Sequence, residues 1–430
     1  MHTPPFHRRI LFAVFIIMFL AFAPAAIFYT AGYRWNPKKG AIERNGTLIV
    51  DTTPDGVDIY LNGKKLEERS PLTQQDVAPG SYRIRLALDG YYPWEKTLEV
   101  RPERVTFVND VILWPNVSPE KVVNAASRMI SVSPNGKFFA YVRERNGDMG
   151  VTVREISTNE ESEFSFSTST FDGSGKIVWN SASTAAYVED AAGRAWIVQR
   201  TRRDVVALPA GAYRWSGNDL VGVTAGGRYT YNVSRGTTTR NALAPGVIDE
   251  EGGYDVFRAT TSSEYVLRDQ SLPNRHYQLP RGSWTFMEAP GGLLALTNGA
   301  SAFLFSSSGD PTDGTLVPSD GVLRVVRADG AEKMIAVLQN EVWLLGADVE
   351  EVLLRKSEPI IGVEWHRLGR DVFYATTNNV ISLNLDQRDG RIETPLAHFD
   401  EIFGLAYARR ELFVSARQGE SVGVWSIAIE

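Results

Sequence analysis

The sequence predicts an all-β protein behind one N-terminal transmembrane helix, with a small β-sandwich followed by a β-propeller. Three observations predict it. Residues Ile10 to Tyr33 contain no charged side chain. From Gly46 to Trp114, short alternating segments are separated by Gly, Pro, Asn and Asp turns, the pattern of strands in a compact sandwich. From Val117 onward, hairpin units recur at intervals of roughly 35 to 45 residues, the signature of a repeat array.

Composition narrows the function classes. The chain has 430 residues, enough for two or three domains with real cores, and its 10 Trp, 16 Tyr and 20 Phe argue against disorder. With no cysteine, disulfides, thiolate metal sites and thiol nucleophiles are all excluded. Residues 1–33 hold two strong bases, Arg8 and Arg9, and no acid, which leaves 43 bases against 51 acids in the remainder. A net negative body disfavours phosphate backbones and anionic membrane surfaces as main partners, so no nucleic-acid partner is expected.

The run ILFAVFIIMFLAFAPAAIFYTAGY, residues 10–33, is long enough to span a hydrocarbon core with some tilt. It reads as an anchor that follows a cytoplasmic tail of residues 1–9. Pro24 is tolerated in such a helix, and Tyr29, Tyr33 and Trp35 form an aromatic cluster where the outer interface would lie. Ala23-Pro24-Ala25 loosely matches a signal-peptide cleavage site, but the apolar run continues to Phe28, which favours retention. The charge rule is near a tie, because Arg8 and Arg9 face Arg34, Lys38 and Lys39 across the segment.

After a polar linker over 34–45, residues 46–116 read as the sandwich. Strands are expected at Thr47–Asp51, Val57–Leu61, Tyr82–Leu88, Glu95–Val100 and Val105–Leu113. The turns between them carry the Gly or Asn that a positive φ requires. Thr53-Pro54-Asp55-Gly56-Val57 leads into Asp58-Ile59-Tyr60-Leu61-Asn62-Gly63, with Ser70-Pro71, Ala78-Pro79-Gly80-Ser81-Tyr82 and Asp89-Gly90-Tyr91-Tyr92-Pro93-Trp94 following in order. This ordered set resembles the PEGA domain, with Asp for Glu and Val for Ala in the motif that names it. The resemblance implies a surface-associated bacterial or archaeal module without an active site of its own. It also decides the expected orientation: single-pass in the cell membrane, N-terminus cytoplasmic, bulk extracytoplasmic. Trp94 and Tyr92 read as core-capping aromatics rather than a carbohydrate platform.

Residues 117–430 read as the propeller. The cleanest unit is Ile130–Val142, two strands hinged on Pro134-Asn135-Gly136. Further units open at Lys176, Tyr213, Tyr254, Ser283, Val322, Ile361 and Ile402, each followed by a second strand and most by a third. This gives eight blades, or seven if the poorest unit, Tyr254–Pro280, is discounted. The absence of helical periodicity argues against an α-solenoid, and a pair of ordinary sandwiches is the structural alternative. The last unit stops after three strands, and Glu120–Ala126 is the segment placed to supply its fourth and close the ring. Ser133-Pro134-Asn135-Gly136-Lys137 resembles the Ser-Pro-Asp-Gly-Lys signature of TolB-like and WD-like repeats, which implies architecture and no particular ligand.

Catalytic motifs are missing: there is no G-x-x-x-x-G-K-[ST] and no G-x-S-x-G. His276, His366 and His398 show no metal-ligand spacing, and Asp172-Gly173-Ser174-Gly175 lacks the ligand count of a calcium loop. No metal and no cofactor is therefore expected. Glu364 and Asp371 are acids in the repeat region without a motif to single them out. The candidate ligand-binding residues are Trp179, Trp215, Trp284 and Trp365, at or near the ends of first strands. They form either an aromatic ring for a sugar or peptide, or wedges between blades. The expected role is a non-catalytic scaffold or adhesin-like binder of another envelope protein or cell-wall glycan. The alternative is a propeller hydrolase or lyase acting on surface polysaccharide, which would need two carboxylates and an arginine converging on the channel.

Overall fold

A computed structural model of the chain describes residues 6–30, 32–36, 40–124, 127, 129–145, 148–166, 175–258, 264–287, 289, 293–307, 310–318, 322–328, 331–346 and 349–430. The chain divides into two compact units: residues 1–116 with 386–392, and residues 117–385 with 393–430.

The first unit opens with helix α1, Phe6–Thr30. Its apolar window, Ile10–Thr30, has 21 residues, about 30 Å of helix, and its large side chains from Ile10 to Tyr29 stand exposed. A helix apolar on every side needs a hydrocarbon or protein cover. It ends at Thr30, whose hydroxyl donates to Ala26 O and Ile27 O, and Gly32 then turns the chain at φ +81°. The residues expected as a linker form a two-stranded ribbon instead. Strand β1 (Tyr33–Asn36) pairs with β2 (Ala41–Arg44), with Tyr33 opposite Arg44. Ring contact with Phe28 at 5.3 Å and the Arg44 guanidinium at 4.6 Å hold Tyr33 on both sides.

The sandwich has seven strands: β3 (Gly46–Thr53), β4 (Asp58–Leu61), β5 (Lys64–Arg69), β6 (Leu72–Val77), β7 (Gly80–Ala87), β8 (Trp94–Val100) and β9 (Val105–Ile112). One sheet runs β6-β3-β9, with β3 and β9 parallel; the other runs β5-β4-β7-β8. Leu48, Val50, Ile59, Ile84, Leu86 and Val108 are fully buried between them, each contributing about 1.5–3 kcal/mol by burial. Strands β5 and β6 were not expected from sequence. Both are edge strands with mostly exposed, charged or amide side chains, so neither shows the alternation that marks a half-buried strand.

Residues 386–392 complete this unit through Lys96 of β8, whose side chain is 1% exposed. Its ammonium donates to the carbonyls of Asp386, Arg388 (2.8 Å) and Gly390 (2.7 Å), with the Asp386 carboxylate at 3.5 Å. Burial lowers the Lys96 pKa, and Asp386 pushes the other way.

The second unit is a β-propeller. Its described residues form eight four-stranded antiparallel sheets. Strand β10 (Glu120–Val123) pairs with Ser421–Ala428, so the earliest strand of the unit completes the sheet built from its last three. First strands of neighbouring sheets touch: Ile130–Val132 meets both Gly175–Trp179 and Glu401–Ala408, and Gly362–Trp365 meets both Glu401–Ala408 and Val322–Ala328. Apolar clusters fill the junctions, such as Phe139 stacked on Phe413 at 5.0 Å between the last sheet and the first.

One repeat differs from its expected register. Tyr254–Arg258 is the second strand of the fourth sheet, and Tyr265–Asp269 the third. The first strand is Val247–Glu251, whose run VIDEE is too acidic to resemble an inner strand.

Candidate functional site

The four candidate tryptophans are enclosed. Trp179, Trp215, Trp284 and Trp365 are 5%, 7%, 0% and 6% exposed, and each belongs to a different core cluster. The Trp215 indole donates to Val178 O of the preceding sheet at 2.9 Å, and Trp179 reaches toward Ser131 O at 3.5 Å. Trp284 bonds Pro280 O at 2.7 Å. A ring packed on both faces offers no platform to a sugar or peptide, and the two inter-sheet bonds tie neighbouring first strands together.

The constellation that first strands do bring together is ionic. Arg214, 6% exposed on Gly211–Ser216 of the third sheet, faces the VIDEE strand of the fourth. Its Nη1 and Nη2 donate to Asp249 Oδ2 and Oδ1 at 2.9 and 3.0 Å, and Nη2 also reaches Glu250 O and Glu251 Oε2. The fifth sheet joins through Phe286, whose backbone N–H donates to Asp249 Oδ2 at 2.9 Å, while its ring lies 5.4 Å from the guanidinium. Ser216 donates to Glu251 Oε1 at 2.6 Å, and Arg228 pairs with Glu250 at 3.3 Å. Two carboxylates and an arginine thus converge on the inner strands of three sheets.

What this node can do follows from its hydrogen-bond count. Each Asp249 oxygen accepts from the guanidinium and from a backbone N–H, of Glu250 or Phe286. Both Glu251 oxygens are engaged as well. A general acid or nucleophile needs an oxygen that can meet substrate. This pair is committed to the scaffold, so the node acts as an ionic staple across three sheets.

The acids noted from sequence lie in the seventh sheet. Glu364 is half-buried on the first strand, and Asp371 begins the second, where Asn384 Nδ2 donates to its Oδ1 at 3.0 Å. Burial pushes the Asp371 carboxyl up to about 7, against that hydrogen bond. Between pH 4 and 7 the folded chain therefore keeps a proton that the unfolded chain releases. Its contribution to stability is fullest below pH 4, falls as pH rises through this window, and is level above 7. Asp371→Asn should remove that slope and raise stability at pH 8 by up to about 4 kcal/mol relative to the parent. Urea midpoints of both proteins at pH 5 and 8 check this; equal differences at the two pH values would contradict it.

His366, fully buried beside these, bonds Glu430 Oε1 at 2.8 Å, and burial lowers its pKa. Burial raises the Glu430 carboxyl, but hydrogen bonds from Arg367 and His366 outweigh it and hold the pKa below the usual range. His276 and His398 are exposed. Residues 172–174 of the loop weighed for calcium lie outside the described residues.

Residues 45–112 match the PEGA domain family. No curated protein matches the chain. Among solved structures it is similar to the C-terminal WD40 domain of Sif2, at 14% identity and TM-score 0.48, over 72% of this chain and 97% of that one. A chain of the mitotic checkpoint complex is similar at 12% identity and TM-score 0.42, over 72% and 90%. PorZ, described as an essential surface component of the type-IX secretion system of Porphyromonas gingivalis, is similar at 13% identity and TM-score 0.37, over 69% of this chain and 42% of that one.

Proposed function

We propose that the chain is a membrane-anchored bacterial envelope protein whose propeller serves as a non-catalytic scaffold or adhesin-like binder for another envelope protein or a cell-wall glycan. The observation that carries this reading is the order of parts. An apolar helix with uncovered side chains is followed, after the β1–β2 ribbon, by a PEGA domain, and then by a ring of sheets. A helix of this kind is stable in hydrocarbon and costly in water. A closed ring of sheets supplies a rigid rim of loops for recognition. In this reading the helix is retained, with its N-terminus in the cytoplasm and the sandwich and propeller outside.

The engaged oxygens of Asp249 and Glu251 support the non-catalytic reading over a polysaccharide hydrolase or lyase. Protease added to intact cells, followed by cross-linking on untreated ones, tests the proposal. Loss of the second unit without lysis and a discrete cross-linked protein or glycan are the expected results. Survival of that unit until lysis would overturn the topology, and cross-linking indistinguishable from an unrelated anchored protein would overturn the binding role.

A further inference from the structure

We propose that the turn 101–104 and the start of β9 form a second, interfacial membrane contact that takes anionic phospholipid headgroups; this rests on reading α1 as a retained anchor. The argument begins at the helix exit. Gly32, two residues beyond α1, accepts from Asn45 N at 3.2 Å, because the β1–β2 ribbon folds back on itself. Asn45 O then accepts from Glu103 N at 3.1 Å, and Thr47 N donates to Arg104 O at 3.0 Å. Arg44, stacked on Tyr33, also pairs with Glu103 at 3.1 Å. Two hydrogen bonds thus join the helix exit to the turn, a path of the order of 10 Å, comparable with the headgroup layer of a bilayer.

The surface at that point has the chemistry of an interfacial element. Val105 and Phe107 are 44% and 48% exposed, among the few large apolar side chains outside α1 that stand so far in solvent. With Leu98, Arg101, Arg104 and Arg388 they line an open groove of about 410 Å³. Arg388 Nη1 donates to Phe107 O at 2.8 Å, which caps the outer edge of β9. Asp110, at φ +60°, distorts the same strand further along. An edge so guarded is poorly suited to adding a strand from another protein. The acids nearby are already engaged: Glu99 by Arg101, Glu103 by Arg44 and Asp386 by Arg388. Among the described residues Arg104 has no carboxylate partner, so its guanidinium is available to a phosphate. Apolar side chains flanked by arginines at the exit of a spanning helix fit a headgroup boundary that holds anionic lipid.

The chain has no cysteine, so single-cysteine variants take one label each. Full-length Val105→Cys, Lys64→Cys and Phe19→Cys proteins, carrying an environment-sensitive fluorophore, are reconstituted in phosphatidylcholine vesicles with and without about a third of phosphatidylglycerol. At position 105, quenching by headgroup-level spin-labelled lipid should be about threefold stronger with the anionic lipid, and Arg104→Glu should abolish the gain. Position 64, on the exposed edge strand β5, should stay aqueous. A label at 105 as aqueous as that at 64, with 19 quenched by acyl-chain spin label, would overturn the contact and leave the anchor standing. Equal quenching at 105 in both vesicles would overturn the anionic preference. An aqueous label at 19 would sink the anchor reading and this inference together.

Discussion

Lys96→Met is expected to be the most damaging single change in the first unit, at about 3–5 kcal/mol. Methionine fills much the same volume, so the cavity contribution is small and the loss falls on the charge. Three carbonyls, of Asp386, Arg388 and Gly390, would lose their donor, and the Asp386 carboxylate one of its two cations, Arg388 remaining. The segment is also held by Thr97 N donating to Asp389 Oδ2, so it should loosen rather than detach. Thermal unfolding of the full chain should show an earlier transition, and limited proteolysis should cut within 386–392 sooner. Lys96→Arg should not rescue, because a planar fork cannot reproduce three bonds from one compact ammonium. A stability within about 0.5 kcal/mol of the parent would contradict the argument.

Arg214→Met should cost the second unit a similar amount, about 3–5 kcal/mol, by leaving the buried Asp249 and the partly buried Glu251 without their shared cation. Arg214→Met combined with Asp249→Leu should recover part of the loss. Removing both charges spares the cost of an unpaired buried carboxylate, although Phe286 N then loses its acceptor. Urea unfolding of the parent, the two single variants and the double variant would measure the coupling. Additive losses would mean that the staple is not a unit. A double variant that unfolds like the parent but no longer binds its cross-linked partner would move the node from scaffold to recognition.

The same residues explain what the sequence concealed. Strands that pack on both faces announced themselves, as in FFAYV or DVFYA, where apolar runs are bounded by turns. Val247–Glu251 did not, because its acids are there to meet Arg214, 35 residues earlier in the chain. An inner strand that satisfies a partner by charge looks like a loop until that partner is known. The signal at Lys96 was legible in half. In WEKTLEV, Trp94, Lys96, Leu98 and Val100 share the buried face, so a cation stands in an otherwise apolar stripe. Its acceptors lie some 290 residues away, and no local pattern points to them. A recurrence inside the ring is equally hidden in the sequence. Asp219 with Asn232, Asp255 with Arg268 and Asp371 with Asn384 each bridge the second and third strands of a sheet, 13 residues apart. Degenerate repeats keep this geometry while changing the partner's identity.

Strand β10 has a mechanical consequence. Tension on the first unit would reach the ring by two routes, through residues 117–119 and through both ends of residues 386–392, and on the first route the structure it loads is the seam of Glu120, Lys121 and Val123 against Ser426, Trp425 and Val424. Among the described residues every other sheet of the ring is stitched from neighbours in sequence, whereas this one joins chain segments some 300 residues apart. A pull along 117–119 would expose the outer edge of Ser421–Ala428, while the crossing at 386–392 would load Asn379–Asn384 and Glu393–His398 of the seventh sheet, so the tether grips the ring at two places.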